Sequence, residues 1–411
     1  MSQLNDAQHQ AVRYLDGPLL VLAGAGSGKT RVITQKIAYL MAEGGFAAEK
    51  ITAITFTNKA AKEMKERASK LVGGRADGLA ISTFHALGVR ILRQEARHAQ
   101  LKPGFSILDA SDTAQLFQEM LKNADKARVR AIQNRISLWK NAVIGPEEAA
   151  QVAADDLEAG AAKVYAEYER TLKAYQAVDF DDLIRLPVVL FESEEEVMHR
   201  WRNRIWHLLV DEYQDTNRCQ MRLMKLLTGP RAAFTAVGDD DQAIYGWRGA
   251  DVENLRLLRD EYPNLKVIKL EQNYRSTTRI LAAANSVIGN NPKLFEKKLW
   301  SDRGHGDAVQ VVACRSGEHE AEWVASRLQA HRFQHRGKWS DYAILYRGNH
   351  QARALEQQLR AQKIPYALSG GQSFFERAEI KDVTAYLRLL ANQDDDPAFI
   401  RAVTTPKRGV G

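Results

Sequence analysis

The sequence predicts an α/β fold built around a parallel sheet, because short apolar runs alternate with amphipathic helical stretches. The runs are four to six residues long and mostly apolar, which is typical of strands buried on both faces. Between two of them, Lys59–Val72 repeats apolar residues every four positions, with Lys and Glu in between. The predicted strands are Leu19–Ala23, Ile51–Phe56, Ile205–Val210, Phe234–Val237, Val267–Leu270, Val309–Ala313 and Tyr342–Tyr346.

Composition narrows the class of protein. At 411 residues the chain is long enough for about two to four domains, and 45% apolar with 27% charged residues is typical of a globular protein. Two cysteines, Cys219 and Cys314, exclude a disulfide framework and a four-cysteine zinc or iron–sulfur site. No apolar run approaches the roughly 20 residues of a membrane span, and the first residues lack a signal-peptide pattern. We therefore expect a soluble cytoplasmic protein.

The excess positive charge lies mainly in the first quarter of the chain. The formal net charge is +7, and the first 100 residues carry 14 basic and 8 acidic side chains. This asymmetry favours a polyanionic partner for the N-terminal region.

A glycine-rich turn follows the first predicted strand, where residues 23–30 read AGAGSGKT. This is the P-loop pattern, in which glycines let backbone N–H groups surround phosphate oxygens and the next helix directs its positive end at the same anion. Lys29 can reach the β- and γ-phosphates, and Thr30 can offer its hydroxyl to Mg²⁺. The alternative is a glycine-rich turn without a ligand. The predicted nucleotide-binding residues here are Ala23, Gly24, Ala25, Gly26, Ser27, Gly28, Lys29, Thr30 and Arg31.

An acidic pair follows a later predicted strand. Leu208–Val210 are apolar and lead directly into Asp211 and Glu212. Asp211 would hold Mg²⁺, directly or through water, and Glu212 would polarise the attacking water as a general base. The alternative is a solvated acidic pair with no such role.

The segment 237–251, VGDDDQAIYGWRGAD, also follows a predicted strand. The amide of Gln242 can both donate and accept, which suits a sensor of the γ-phosphate. Tyr245, Trp247 and Arg248 suit base stacking and phosphate contact on one loop. Packing of the two aromatic residues in a core is the alternative. The aspartates at 239–241 are expected to form a loop without a metal.

Together these motifs resemble, in type and order, the UvrD/Rep/PcrA family of superfamily 1 DNA helicases. The similarity runs from residue 4 to residue 411. The motifs that carry it are LNDAQ with Gln8, AGAGSGKT at 23–30, TFTNKAA at 55–61, STFH at 82–85, DFDDL at 179–183, DEYQDTN at 211–217, the segment 237–251, EQNYRS at 271–276 and ILYRGNHQAR at 344–353.

The resemblance implies roles in an ATP·Mg²⁺ site. Gln8 would recognise adenine, and Tyr274 would stack on it. Gln242 would couple the state of the γ-phosphate to the DNA site, and Arg275 would contact that phosphate as an arginine finger does. The implied catalytic residues are Lys29, Asp211, Glu212, Gln242 and Arg275, and the implied metal ligands are Thr30 and Asp211.

The resemblance also implies a path for single-stranded DNA. From the residues alone, only part of it is supported: Phe56 precedes a helix with Lys59, Lys62 and Lys65, in the region of excess charge. A solvated lysine-rich face remains the alternative there, and a lone histidine is more often a core residue. The implied DNA contacts are Phe56, Asn58, His85, Phe180, Tyr245, Trp247, Arg248, Arg347 and Asn349.

The family pattern divides the chain into modules. A first RecA-like ATP-binding domain would comprise residues 1–84 and 196–276, with a helical insertion at 85–195. Part of a second RecA-like domain would cover 277–373, and 374–411 would begin a second helical insertion. Two further motifs that the family carries after this point are not in the 411 residues. We therefore expect a shortened form of a longer protein, which binds ATP and DNA but hydrolyses and unwinds weakly.

For the intact relative, the resemblance implies ATP-driven 3′-to-5′ movement on single-stranded DNA and at single-strand/duplex junctions, in replication and repair. Two alternatives remain open at this point. One is the motor subunit of a nuclease complex, and the other is a non-catalytic DNA-binding module that depends on ATP. No membrane partner is expected.

Overall fold

A computed structural model of the chain describes residues 4–122, 124–369, 377–406 and 408–409. The chain forms two compact units, Met1–Asp307 with Asp394–Pro397, and Ala308–Gln393 with Ala398–Gly411. The module boundaries inferred from the sequence are finer than this division and stay predictions. The boundary predicted between residues 373 and 374 lies outside the described residues.

The larger unit contains the predicted parallel sheet. The strands of this unit are β1 Leu19–Ala23, β2 Ile51–Thr55, β3 Ala80–Thr83, β4 Ser106–Ile107, β5 Ala177–Val178, β6 His207–Val210, β7 Phe234–Gly238 and β8 Lys266–Leu270. Six of them form the sheet in the order β3–β2–β6–β7–β1–β8, and every neighbouring pair is parallel. A separate pair, β4 and β5, forms a second small sheet.

The register of the sheet decides which loops meet. Strand β1 lies between β7 and β8, with Leu22 opposite both Gly238 and Lys269. Because the strands are parallel, the turn after β1 emerges beside the segments that follow β7 and β8. Strands β1, β2, β6 and β7 are fully buried along their lengths, which explains their continuous apolar runs.

Helices flank the sheet and fill the insertion between β3 and β6. Gly88 in helix α4 (Phe84–Gln94) lies so close to helix α9 (Asp182–Ser193) that an added Cβ would be 1.8 Å from the carbonyl oxygen of Leu183, so only glycine permits this packing. Most of residues 85–195 are helical. The helices of the larger unit are α1 Asp6–Arg13, α2 Lys29–Ala42, α3 Asn58–Val72, α4 Phe84–Gln94, α5 Ala110–Met120, α6 Lys126–Asn141, α7 Pro146–Val152, α8 Asp156–Ala174, α9 Asp182–Ser193, α10 Glu195–Arg204, α11 Arg218–Thr228, α12 Glu253–Glu261 and α13 Thr278–Ile288.

The smaller unit differs from the prediction. The segments 309–313 and 342–346, predicted as strands, have no strand structure, and no strand occurs elsewhere among the described residues of this unit. An apolar run becomes a strand only beside a hydrogen-bonding neighbour, and these two runs have none. Residues Ala378–Ala391, within the segment 374–411, form helix α16. The remaining helices are α14 Gly317–His335, α15 Ala352–Ala361, α16 Ala378–Ala391 and α17 Asp396–Thr404, which begins in the larger unit.

No helix in the described parts of the chain has both the length and the apolar composition that a membrane crossing requires.

Candidate nucleotide site and nucleic-acid interface

The glycine-rich turn has a backbone that requires glycine. Gly26 has a φ of 69° and Gly28 a φ of 93°, both in the left-handed region. A Cβ added at Gly26 would lie 2.6 Å from Nδ2 of Asn273, and one at Gly28 would lie 2.8 Å from Nε2 of Gln8. Helix α2 begins at Lys29, so its N-terminal N–H groups lie at the end of the turn. This arrangement suits an anion.

Residues from two segments that are distant in the sequence hold the turn in place. Gln8 Nε2 donates to the carbonyl of Ser27 at 2.8 Å, and the side chain of Gln8 is buried. In the segment after β8, the backbone N–H of Tyr274 donates to the carbonyl of Gly26 at 3.0 Å. Both residues that the resemblance assigns to adenine therefore lie at the turn. The amide oxygen of Gln8 accepts from the N–H of Asn5 at 3.2 Å.

Asn273 is a supporting residue that the sequence reasoning missed. Its Nδ2 donates to the carbonyl of Ala25 at 2.5 Å, and its Oδ1 accepts from the backbone N–H groups of Arg275 and Ser276. The side chain is buried, whereas Arg275 itself is exposed. Asn273 therefore fixes the backbone of the arginine that is expected to contact the γ-phosphate. The motif EQNYRS contained this residue, but its role depends on a contact distant in sequence.

The acidic pair meets the turn. Nζ of Lys29 lies 3.0 Å from Oε2 of Glu212, and has no other partner among the described residues. Glu212 has a φ of 50°, a conformation that is uncommon outside glycine. Burial and the neighbouring Glu212 raise the pKa of Asp211 to about 7, while Lys29 partly opposes this rise. A buried carboxylate of this kind becomes ionised most readily beside a cation.

Gln214 links this pair to the segment after β7. Its Nε2 donates to Oε2 of Glu212 at 3.0 Å, and its Oε1 accepts from the backbone N–H of Asp239 at 2.9 Å. Nε2 of Gln242 in turn donates to the carboxylate of Asp239 at 2.5 Å. Gln242 is therefore joined to Glu212 through two buried intermediates. Sequence reasoning found both ends of this connection and missed Gln214.

The three aspartates of the same segment surround the buried side chain of one lysine. Nζ of Lys297 lies 2.8 Å from Asp239, 2.9 Å from Asp241 and in contact with Asp240. These carboxylates raise the pKa of Lys297 against the effect of its own burial. The ammonium group occupies the place where the three carboxylate oxygens converge, and it fixes the loop that carries Gln242.

The donor set fits a nucleoside triphosphate with Mg²⁺. The turn offers backbone N–H groups, Lys29 Nζ is buried with one carboxylate as its partner, and Asp211 is a buried acid. Thr30 and Arg31 lie in the first turn of α2. These residues would hold the phosphates and the cation that accompanies them.

Two predicted DNA contacts, Phe56 and His85, lie just after strands β2 and β3 of the six-stranded sheet. Phe56 follows β2 and packs edge-on against Phe84, with ring centroids 5.8 Å apart. The rings of His85 and Phe180 are 5.7 Å apart, and 48% of Phe180 is exposed. Burial lowers the pKa of His85 although the nearby Asp181 opposes this effect. Burial therefore favours the neutral form of the His85 ring.

The loop after β7 presents two more aromatic side chains. Tyr245 is 38% exposed and Trp247 is 68% exposed, so neither is the core residue that the alternative interpretation required. Asn58 is exposed at the start of α3. The backbone of Arg248 forms part of a short 3₁₀ turn, but its side chain lies outside the described residues. Arg347 and Asn349 are exposed in the smaller unit, just before α15.

Comparison with known proteins matches the whole described chain to helicase sequences. The family model "UvrD/REP helicase N-terminal domain" matches residues 4–263, and "UvrD-like helicase C-terminal domain" matches 268–411. ATP-dependent DNA helicase Rep of Escherichia coli strain K12 is 53% identical over all of this chain and 61% of its own length. Rep of Buchnera aphidicola subsp. Baizongia pistaciae is 45% identical over 99% of this chain and 61% of its own length.

A second group of relatives carries another name. ATP-dependent DNA helicase PcrA of Staphylococcus aureus strain Mu50 is 44% identical over all of this chain and 57% of its own length. The chain thus spans about three fifths of the length of the curated relatives it matches.

Proposed function

The chain belongs to the UvrD/Rep helicase family, and we propose that it is the ATP-binding and DNA-binding part of an ATP-dependent DNA helicase. The observation that supports this most is the pairing of Lys29 with Glu212 across the sheet. It brings the glycine turn and the acidic strand end into one site, as hydrolysis of a triphosphate requires.

In the proposed reaction the residues of this site have separate tasks. The turn and Lys29 would bind the phosphates, and Thr30 and Asp211 would hold Mg²⁺, which would offset negative charge on the phosphates. Glu212 accepts the proton of the attacking water. Arg275 stabilises the charge that develops on the γ-phosphoryl group, and Gln8 and Tyr274 orient the base. Gln242 responds to the γ-phosphate through its contact with Asp239.

Single-stranded DNA is the proposed polymer substrate. Phe56, His85, Phe180, Tyr245 and Trp247 offer aromatic faces, and stacking on such faces does not depend on base identity. The polar and basic residues Asn58, Arg248, Arg347 and Asn349 would add contacts to the backbone. We also propose that the protein moves 3′ to 5′ on the DNA and uses single-strand/duplex junctions. Its proposed roles are in replication and repair, and its proposed location is the cytoplasm.

For the 411 residues themselves we propose binding of both ligands with slow hydrolysis. Arg275 is the arginine assigned to the γ-phosphate, and the family resemblance implies a second such arginine in one of the two later motifs that lie outside these residues. Arginine fingers contribute about 10³–10⁵ in rate, so one of two leaves turnover low.

The test compares the wild-type chain with Lys29→Ala, and with Lys163→Ala on an exposed part of α8 as the matched control. Binding of a fluorescent ATP analogue and ATP hydrolysis are measured with and without oligo-dT. We expect Lys29→Ala to weaken nucleotide binding by about 10–100-fold, since charge-assisted hydrogen bonds are lost.

A non-catalytic module would instead bind DNA normally at saturating ATP and show no DNA-stimulated hydrolysis in either chain. A linked nuclease activity would favour the motor of a nuclease complex.

A further inference from the structure

We propose that Asn141 and Asn217 form a bridge that couples DNA bound at Phe180 to the acidic segment 211–217. The inference rests on the proposed function and names two positioning residues for it. Neither side chain is expected to touch nucleotide or DNA. Both act through the residues that they hold.

The Asn217 end of the bridge is fixed by a helix cap. Its Oδ1 accepts from the backbone N–H of Gln220 at 2.8 Å, which caps α11. This bond sets the orientation of the amide, so its Nδ2 faces Asn141 and donates to Oδ1 there. The residue lies five positions after Glu212, in the same DEYQDTN segment.

The Asn141 end reaches the predicted DNA surface. Its Nδ2 donates to Oδ1 of Asp181 at 3.1 Å and to the carbonyl of Ser137 at 2.8 Å. Asp181 directly follows Phe180, whose ring packs against His85. A movement of Phe180 on stacking with a base therefore displaces an acceptor of the bridge.

Ion pairs and hydrogen bonds hold the residues next to both ends of the bridge, so these residues cannot move freely when Phe180 moves. Next to Asn141, Nζ of the buried Lys140 lies 2.8 Å from both Asp179 and Asp182, which bracket the Phe180–Asp181 pair. Next to Asn217, the carbonyl of Thr216 accepts from Asn254 Nδ2 at 2.8 Å. Connected side chains of this kind can carry coupling between two binding sites. Whether they do so is shown only by a measurement of the coupling itself.

One substitution separates the bridge from the helix cap. In Asn217→Asp the carboxylate still caps α11, because aspartate is as good an N-cap as asparagine. The donor to Asn141 is lost, and two oxygen acceptors face each other. If the Asn141 amide rotates to donate to the new carboxylate, it gives up Asp181. In either case the path from Asp181 to α11 is broken.

The experiment measures the affinity of the full 411-residue chain for fluorescein-labelled oligo-dT, without and with a saturating non-hydrolysable ATP analogue and Mg²⁺. The ratio of the two dissociation constants is the coupling, and we expect at least about fivefold for the wild type. We expect a ratio near one for Asn217→Asp and for Asn141→Ala, with the affinity for each single ligand unchanged. Asp155→Asn, a cap exchange on α8, should keep the wild-type ratio.

The outcomes separate this inference from the proposed function. A wild-type chain that binds neither ligand overturns both. A wild-type chain that binds both without coupling, or bridge variants that keep the full ratio, overturn the bridge alone. Thermal melting checks that each variant is folded. If Asn217→Asp fails this check, Asn141→Ala decides, because it leaves the cap of α11 intact.

Discussion

Nζ of Lys29 lies 3.0 Å from Oε2 of Glu212. The lysine begins the helix after the glycine turn, and the glutamate follows a strand two positions away in the sheet. A triphosphate in the turn would compete with Glu212 for Lys29, because phosphate oxygens and the carboxylate are alternative acceptors for one ammonium group. Exchange of this partner would release the carboxylate to accept a proton from water. The ion pair thus links occupancy of the turn to the availability of the general base.

Glu212→Gln should separate binding from hydrolysis. Glutamine keeps the size of the side chain but cannot accept the proton of water, so we expect hydrolysis to fall by about 10²–10⁴-fold. Binding of ATP should be retained, because Lys29 loses a competing carboxylate. Steady-state hydrolysis with oligo-dT and binding of a labelled analogue measure the two effects. Glu192→Gln, a surface change in α9, serves as the control, and equal hydrolysis by both variants would contradict the assignment.

The sequence predicted the parts of the fold that local order determines. The first five predicted strands are all present, since each is an apolar run with hydrogen-bonding neighbours. The same signal was wrong at 309–313 and 342–346, because an apolar run does not say whether neighbouring strands exist. Strand β3 was missed, since Ala80–Thr83 is an edge strand with two hydroxyl residues and mostly half-buried side chains.

The residues of the candidate site also differ in whether a local sequence pattern marks them. Lys29 and Glu212 carry local patterns, a glycine turn and an acidic strand end, that the sequence displays directly. Gln214, Asn273 and Lys297 have no such pattern, because each acts by contact with a segment distant in the chain. Nothing in the sequence between each of these three residues and its partner indicates that the two lie close together.

Trp247→Ala should weaken single-stranded DNA binding without loss of stability. Its ring is 68% exposed, so little core packing is removed. Loss of one stacked base costs about 1–3 kcal/mol, which corresponds to a dissociation constant raised about 5–150-fold. Fluorescence anisotropy with oligo-dT measures the change, and the melting temperature and ATP-analogue affinity should stay as in the wild type. Phe333→Ala, at another highly exposed ring, is the matched control, and an effect of equal size there would argue against a specific contact.

Lys140→Met should destabilise the larger unit strongly. The lysine is fully buried among Asp179, Asp182 and Glu169, and these carboxylates raise its pKa. Removal of one partner leaves buried charges uncompensated, which typically costs about 3–5 kcal/mol. Urea unfolding followed by tryptophan fluorescence should show this loss. The same substitution at the exposed Lys163 is expected to have little effect, and similar midpoints for the two variants would show that the network contributes little.

His207 should make the stability of the larger unit depend on pH. The ring is buried beside Thr235, with Nε2 3.0 Å from the Thr235 hydroxyl, and burial lowers its pKa to about 3, with a smaller effect from the charge of Lys36. Between pH 6.5 and 3 the unfolded chain binds a proton at this residue that the folded chain excludes. The free energy of unfolding therefore decreases as the pH is lowered below 6.5. For this group the decrease is about 1.4 kcal/mol per pH unit, which amounts to about 2 kcal/mol at pH 5.

His207→Gln isolates this contribution, because glutamine does not titrate and can still bond the Thr235 hydroxyl. Carboxylates with raised pKa values, such as Asp211 and Asp215, act in the opposite direction over the same range, so only the difference between wild type and variant is informative. Urea unfolding at pH 7 and pH 5 should show a larger loss for the wild type. The exposed His199→Gln should behave as the wild type does. Identical losses for all three chains would mean that His207 is protonated without cost in the folded state.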